Sequence, residues 1–419
     1  MSEKSARAAN LLCLILAGEI IFSLPFHITR YFRPTFLETF SLSNAALGDI
    51  FAGYGLVAML AYFPGGLLAD RFSARHLIVA SLVATATGGF YLASIPNEMG
   101  LRILFAYWGL TTILLFWAAL LRATNEWGGT SQQGIAFGLL DGGRGLAAAL
   151  GASVAVMLFA KYSGAELELL SAEQRVNGIR SVIYFYTGLA LLVAVLCWLF
   201  VSEADNQREG THQLKRGLAP LFSNPLVWLQ ALIVLAAYCA YKGLDNYGVY
   251  LVDVMGVAEL RASELMALSA YLRPVGAISA GLLADRFSAS RVISRAFICL
   301  LVIYLIAAMS SPDTVRYELL MLNFWVSFVA VFALRGVYFA LTAEINVSVR
   351  QTGTAIGLVS VIGFTPDVFF YAIAGRLLDQ NPGLVGHQHY FYLLAFIATL
   401  GAIAAFLLSR ALAARQQAH

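Results

Sequence analysis

Charge is what this sequence most lacks. Only 12% of its 419 residues are Asp, Glu, Lys or Arg, against about 25% in an ordinary soluble domain. A chain so poor in charge cannot cover itself with polar surface in water, so its solvent is expected to be lipid. Net charge is only +3, too small to imply a nucleic-acid partner. Cysteine is scarce as well. Cys13, Cys197, Cys239 and Cys299 stand singly in apolar runs with no CxxC pair, which removes the spacing of a metal site or disulfide framework and leaves small lipid-facing or core residues. The phosphate-loop pattern GxxxxGK[ST] is absent, so ATP is not expected as the driving force. No nucleophile–base spacing stands out, so neither an enzyme nor a cofactor is expected. The first apolar run is long and followed by others, so it reads as a helix that stays rather than a cleaved leader.

What fills the chain is hydrophobic sequence, 60% of all residues. A helix crosses a bilayer with about 20 mostly apolar residues. Apolar runs lie, in rough limits, at 10–32, 45–68, 77–95, 101–124, 134–159, 180–201, 224–252, 262–284, 292–310, 317–345, 353–375 and 388–410. Twelve helices with short connections therefore use the whole chain and leave no room for a soluble domain. One long charged connector, SEADNQREGTHQLKRG at 202–217, divides the chain nearly in half. The expected fold is an all-α membrane protein with twelve transmembrane helices in two pseudo-symmetric six-helix bundles, 1–201 and 218–419, joined by the loop 202–217.

An internal repeat is the strongest sequence signal. Gly66–Ala74 reads GLLADRFSA, and Gly281–Ala289, 215 positions later, reads the same nine residues. Both copies close the second run of their half. Parallel six-helix repeats with a binding site at their interface are a known transporter design. An even number of spans puts both termini on one side. That side collects twelve lysines and arginines, among them Lys4, Arg7, Arg71, Arg75, Arg286, Arg291 and Arg415, against eight on the other. The bias favours cytoplasmic termini and a multi-pass protein of the bacterial inner membrane.

GLLADRFSARH closely resembles the loop signature of the major facilitator superfamily, G-x-L-a-D-R-x-g-R-R, between its second and third helices. Asp70, Arg71 and Arg75 match it, as do Asp285, Arg286 and Arg291 in the second copy, while Ser73 and Ser288 stand where the family often has Gly. The resemblance implies that both loops are cytoplasmic and that these six residues gate access rather than bind substrate. A narrower resemblance, to the organophosphate–phosphate antiporter branch and related uncharacterised permeases, rests on three segments. They are Arg122-Ala-Thr-Asn-Glu-Trp127 followed by Gly134, YKGLDNYGVYL at 241–251, and Glu344 with Gly353-Thr-Ala-Ile-Gly357.

Ionisable groups inside spans are costly, by at least about 2.5 kcal/mol at mid-bilayer, and so mark protein-facing or cavity-facing positions. The repeat offset organises several of them. His27 and Arg30 on the first helix correspond to Lys242 and Asp245 on the seventh, each pair three residues apart and on one helix face. In the antiporter branch each of these helices supplies an Arg to the substrate phosphate. Here the positions hold His27 and Lys242, which lack the planar fork of Arg, with Arg30 one turn away. Snorkelling to the headgroups is the competing role for Arg30 and Arg33, and an ion pair with Asp245 the competing role for Lys242. Arg273, next to Pro274, corresponds to Ala58 and breaks the symmetry, which points to an anion. Arg335 either binds substrate or pairs with Glu344. Tyr247 and Tyr250 follow Lys242 closely and can line a cavity. Glu126, Asp245 and Glu344 suit proton coupling, because burial favours the protonated carboxyl; for Glu126 and Glu344 the alternative is a gate salt bridge. Asp141 and Arg144, amid glycines, suit a local ion pair, and Pro366 before Asp367 marks a kink.

The excess of buried cations points to secondary active transport of a small organic anion, phosphorylated, carboxylated or sulfonated, by alternating access and with exchange or proton coupling. The expected partners are that anion, the lipid bilayer, and protons or a counter-transported anion, for a monomer. The alternative is a multidrug or lipid exporter of the same fold. That class carries a Gly-Pro-Gly-Gly-like motif in its fifth helix, whereas Gly138–Gly151 has glycines and no proline.

Overall fold

A computed structural model of the chain describes residues 3–129, 133–163, 170–202, 221–312, 314–345 and 352–417. The expected connector 202–217 lies, apart from Ser202, outside these residues. Among the described residues every regular element is helical. Among the described residues eleven helices are long and apolar enough to cross a membrane, and the bent pair Lys4–Ile20 and Ser23–Tyr31 makes twelve. With that pair as span 1, the others are span 2 (Asn44–Arg71), span 3 (Ala74–Ala93), span 4 (Glu98–Gly128), span 5 (Ala136–Ser163) and span 6 (Ala172–Phe200). Spans 7 to 12 are Pro225–Asp253, Glu259–Phe287, Ala289–Met309, Tyr317–Glu344, Ala355–Gln380 and Leu384–Arg415.

Local chemistry sets the bends. Pro25 has no N–H to give to the turn before it, so span 1 loosens into a π-helical turn over Ser23–His27 and bends by 40°. Thr29 returns its hydroxyl to the carbonyls of Pro25 and Phe26, at 3.1 and 3.2 Å. Span 7 is interrupted at a nearly corresponding place, by a 3-10 turn over Leu244–Asn246. Span 6 starts with a reciprocal capping box: Ser171 Oγ accepts the Gln174 N–H at 3.2 Å, and Gln174 Oε1 accepts the Ser171 N–H at 2.8 Å.

The chain divides into two compact units, Met1–Gln207 with Gly256–Tyr271, and Arg208–Met255 with Leu272–His419. The same pairs of helices pack in each half of the sequence. Spans 1 and 5, 1 and 6, 2 and 4, and 3 and 6 are in contact, and so are 7 and 11, 7 and 12, 8 and 10, and 9 and 12. Glycine permits the tightest of these. A Cβ on Gly65 of span 2 would lie 2.9 Å from the Leu114 carbonyl oxygen of span 4, and one on Gly276 of span 8 would lie 2.8 Å from the Val329 carbonyl oxygen of span 10. Backbones approach this closely in membranes through small residues. In the first unit the stretch Gly256–Tyr271 is fastened by Glu259, whose carboxylate accepts from Arg175 Nε at 2.9 Å and from the Thr35 hydroxyl at 2.8 Å. Cys13, Cys197 and Cys239 are buried and Cys299 is exposed.

Candidate functional site

In the second unit a group of charged side chains surrounds Lys242. This residue lies in the last turn of the α-helical part of span 7 and is 3% exposed. Its Nζ lies 2.7 Å from Oδ1 of Asp367 on span 11. Pro366 stops the preceding helix and opens the next, so Asp367 falls in a first helical turn, the positive end of the helix dipole, which favours a carboxylate. The Tyr238 hydroxyl donates to Asp367 Oδ2 at 3.0 Å, and the Tyr371 hydroxyl to Asp245 Oδ2 at 2.6 Å. The rings of Tyr238 and Tyr371 also flank the ammonium, with centroids 5.1 and 5.2 Å away. Beside them the Arg335 guanidinium stacks 3.9 Å over Tyr241. Two cations, two carboxylates and three tyrosines thus form one cluster. Its charges are held by hydrogen bonds and ring faces, as desolvated charges require.

The first unit has a counterpart. Glu19 on span 1, 5% exposed, bridges two bases. Its Oε1 accepts from His27 Nε2 at 3.2 Å, and its Oε2 from Arg144 Nε of span 5 at 3.1 Å. The Arg144 guanidinium lies 5.9 Å from the Phe22 ring and 5.7 Å from Trp117. His27, 3% exposed, packs its ring against Tyr31 and Tyr186 at 5.5 and 5.7 Å. The two clusters use corresponding helices with opposite polarity: acid on span 1 and base on span 5, then base on span 7 and acid on span 11.

Other residues singled out by sequence fall elsewhere. Arg30 is half-buried on the turn after His27, and Arg273 is 8% exposed in span 8. Tyr247 sits inside an aromatic core, 5.6 Å from each of Phe324, Phe328 and Phe391, which gives it a packing role beside the site. Glu126 and Glu344 lie at the duplicated loops, away from Lys242 in sequence and partners. Glu126 accepts from Arg122 Nε at 2.7 Å, and Arg122 donates to the Ala69 and Phe72 carbonyls of the first loop. Glu344 accepts the backbone N–H groups of Ala289 and Ser290, where span 9 begins after the second loop. Asp70, Arg71, Asp285, Arg286 and Arg291 are exposed. Arg75 donates to the Val201 carbonyl at 2.6 Å, and Arg286 stacks on Phe287 at 5.3 Å.

Sequence reasoning overlooked Glu19 and treated Asp367 as a kink marker. It also gave Arg144 to Asp141, whereas the guanidinium turns to Glu19 on another helix. The cost of any carboxylate inside an apolar run was the signal that marks both acids.

The comparisons with known proteins agree with this architecture. The family model for the Major Facilitator Superfamily matches residues 15–366. An inner membrane protein of Escherichia coli, YihN, is 25% identical over 96% of this chain and 96% of its own. A probable nitrate/nitrite antiporter of Thermus thermophilus, NarK1, is 27% identical over 87% of this chain and 84% of its own. Among solved structures, an inward-facing, unoccupied bacterial homologue of the human lysosomal transporter Spinster superposes with a TM-score of 0.78 at 16% identity, covering 98% of both chains.

Proposed function

Because the chain belongs to the Major Facilitator Superfamily and is a multi-pass membrane transporter, we propose that it moves a small organic anion by alternating access, with Lys242 as the anion-binding cation. The observation that carries this reading is the buried ammonium of Lys242, 2.7 Å from a carboxylate on a different helix and ringed by tyrosines. A substrate carboxylate, phosphate or sulfonate offers the same charge and hydrogen-bond acceptors as Asp367, so it can take that place without leaving a bare charge in a dry site. Tyr238 and Tyr371 supply apolar faces for the carbon skeleton and hydroxyls for its polar groups. The likeness to a nitrate/nitrite antiporter supports an anionic substrate and exchange.

Glu19, joined to His27 and Arg144, is the reading's proton carrier: a carboxylate shared by two bases can pass a proton when one contact opens. Glu126 and Glu344, the sequence-derived alternatives, are engaged by Arg122 and by the Ala289 N–H next to the duplicated loops, which favours Glu19 for this role. Placement in an inner membrane, with cytoplasmic termini, is supported by the excess of basic residues on the terminal side and by the likeness to YihN. Uptake of labelled sugar phosphates, carboxylates and sulfonates into proteoliposomes tests the reading. At least one class should be transported by the wild type and not by Lys242→Ala. Uptake that survives this substitution would shift the anion site to Arg273 or Arg335.

A further inference from the structure

Four single cysteines give no disulfide pattern in the sequence, yet folding brings two of them together. Cys13 lies on span 1 and Cys197 near the end of span 6, 184 positions later, and the two helices pack against one another. Both are free thiols, 4% and 0% exposed. Cys13 Sγ donates to the Leu196 carbonyl at 3.6 Å, and Cys197 Sγ to the Cys13 carbonyl at 3.7 Å. The two thiols are also within hydrogen-bond reach of one another. Each sulfur thus rests against the main chain of the opposite helix. Two cysteines bridge without backbone movement only when their main chains are close and their side chains converge, and these contacts show both. Asn10, one turn before Cys13, holds the helices in this register by giving its amide N–H to the Ser202 hydroxyl just beyond span 6.

A thiol in an apolar core is inert unless a reagent reaches it. Here a cavity of about 420 Å³ lies one helical turn away on both helices. Its wall includes Asn10, three residues before Cys13, and Phe200 and Val201, three and four residues after Cys197; neighbours at these spacings share a helix face. Asn10, Glu126 and Ser202 make part of the wall polar, which suits a small, water-like oxidant. Glutathione disulfide is too bulky to follow it to thiols that lie a turn beyond the wall. Neither cysteine belongs to the Lys242 cluster or to the Glu19 cluster.

We propose that Cys13 and Cys197 are a peroxide-sensitive dithiol, reached from this cavity, that closes to a disulfide and ties span 1 to span 6. One thiol loses its proton, and its sulfur attacks hydrogen peroxide. The O–O bond breaks, a sulfenic acid forms, and the hydroxide that leaves takes up the proton as water. The second sulfur then attacks the sulfenic sulfur. The S–S bond forms, the S–O bond breaks, and hydroxide leaves with the second thiol proton as another water. Two thiols are oxidised and one peroxide is reduced to two waters.

Peptide mapping by mass spectrometry tests this on the purified full chain, exposed to hydrogen peroxide, quenched, unfolded and alkylated. A linked peptide joining Cys13 to Cys197 should appear, lighter by two hydrogens than its two parts together and removed by dithiothreitol. Both thiols should become protected from alkylation to the same extent. Because 184 positions separate them, the bond restricts the unfolded chain strongly, so peroxide should raise the unfolding temperature and dithiothreitol should return it. Glutathione disulfide at the same concentration should leave both thiols open to alkylation. Cys13→Ser and Cys197→Ser should each show no linked peptide and no peroxide-dependent rise. Recovery of both thiols as alkylated or sulfinic forms after peroxide would overturn the proposal, as would linkage mainly to Cys239 or Cys299, or equal oxidation by glutathione disulfide. If a serine variant does not fold, the peptide map of the wild type decides alone.

Discussion

Lys242 and Asp367 form a 2.7 Å ion pair between spans 7 and 11, with the ammonium 4% and the carboxylate 19% exposed at the side chain. The ammonium is therefore the less replaceable partner: it has lost its water, while Asp367 retains some. Lys242→Ala should abolish binding and uptake of the anion, and Lys242→Arg should keep part of both, since charge is preserved but the fork geometry differs.

Asp367→Asn should act in the opposite sense on affinity. Removing one partner of a buried pair costs about 3–5 kcal/mol, and the residual exposure of Asp367 puts its effect near the lower end. The variant should lose thermal stability when no anion is present and regain it with substrate, by about 2.7 kcal/mol at a hundredfold excess over Kd. A melting temperature insensitive to anion in this variant would disconnect Asp367 from the site.

Glu19→Gln keeps hydrogen-bond capacity beside His27 and Arg144 but removes the carboxylate that both bases share. If Glu19 carries the coupling proton, the variant should still exchange labelled for unlabelled substrate across a membrane. It should no longer accumulate substrate against a gradient when a pH difference is imposed. Accumulation at the wild-type level would assign coupling elsewhere, with Asp245 as the next carboxylate to test.

The fold was legible because two signals are local and redundant: apolar runs of span length, and a nine-residue segment copied 215 positions on. The site was half legible. The offset that links His27 to Lys242 identified both spans and the residues at their bends. It could not find Glu19 and Asp367, because their partners are on other helices: Arg144 is 125 positions from Glu19, and no spacing rule reaches that far. Local rules also misled. Asp141 and Arg144 have helical spacing for an ion pair, yet the guanidinium gains more from the buried Glu19 than from an exposed Asp141. Glu126 and Glu344 are acids in apolar runs as well, but they sit where their spans meet the duplicated loops.

At those loops Glu344 accepts the N–H groups that open span 9. Losing such a cap costs about 1 kcal/mol. Glu344→Ala should therefore lower stability modestly and change turnover more than substrate affinity, because it loosens a loop without touching the Lys242 cluster. Asp70→Asn and Asp285→Asn should share that kinetic pattern, a shift of about 1.4 kcal/mol between states being tenfold in their ratio. Weaker binding with unchanged maximal rate in these variants would remove the gate assignment.

A close helix crossing provides the last prediction. A Cβ on Gly65 would meet the Leu114 carbonyl oxygen at 2.9 Å and the Ile113 carbonyl oxygen at 3.1 Å. These are backbone atoms, which cannot swing away as a side chain would, so spans 2 and 4 must separate. Overpacking of this kind costs about 1–3 kcal/mol for a small group. Gly65→Ala should lower the unfolding temperature of the purified transporter, and Gly65→Val should reduce the folded yield further. Gly276→Ala should repeat the effect in the second half, where the Val329 carbonyl oxygen is 2.8 Å from the added Cβ. Gly53→Ala provides the contrast: nothing lies within 4 Å of its added Cβ, so that variant should unfold at the wild-type temperature. Equal melting of all four variants and the wild type would mean that span 2 and span 8 do not pack this tightly.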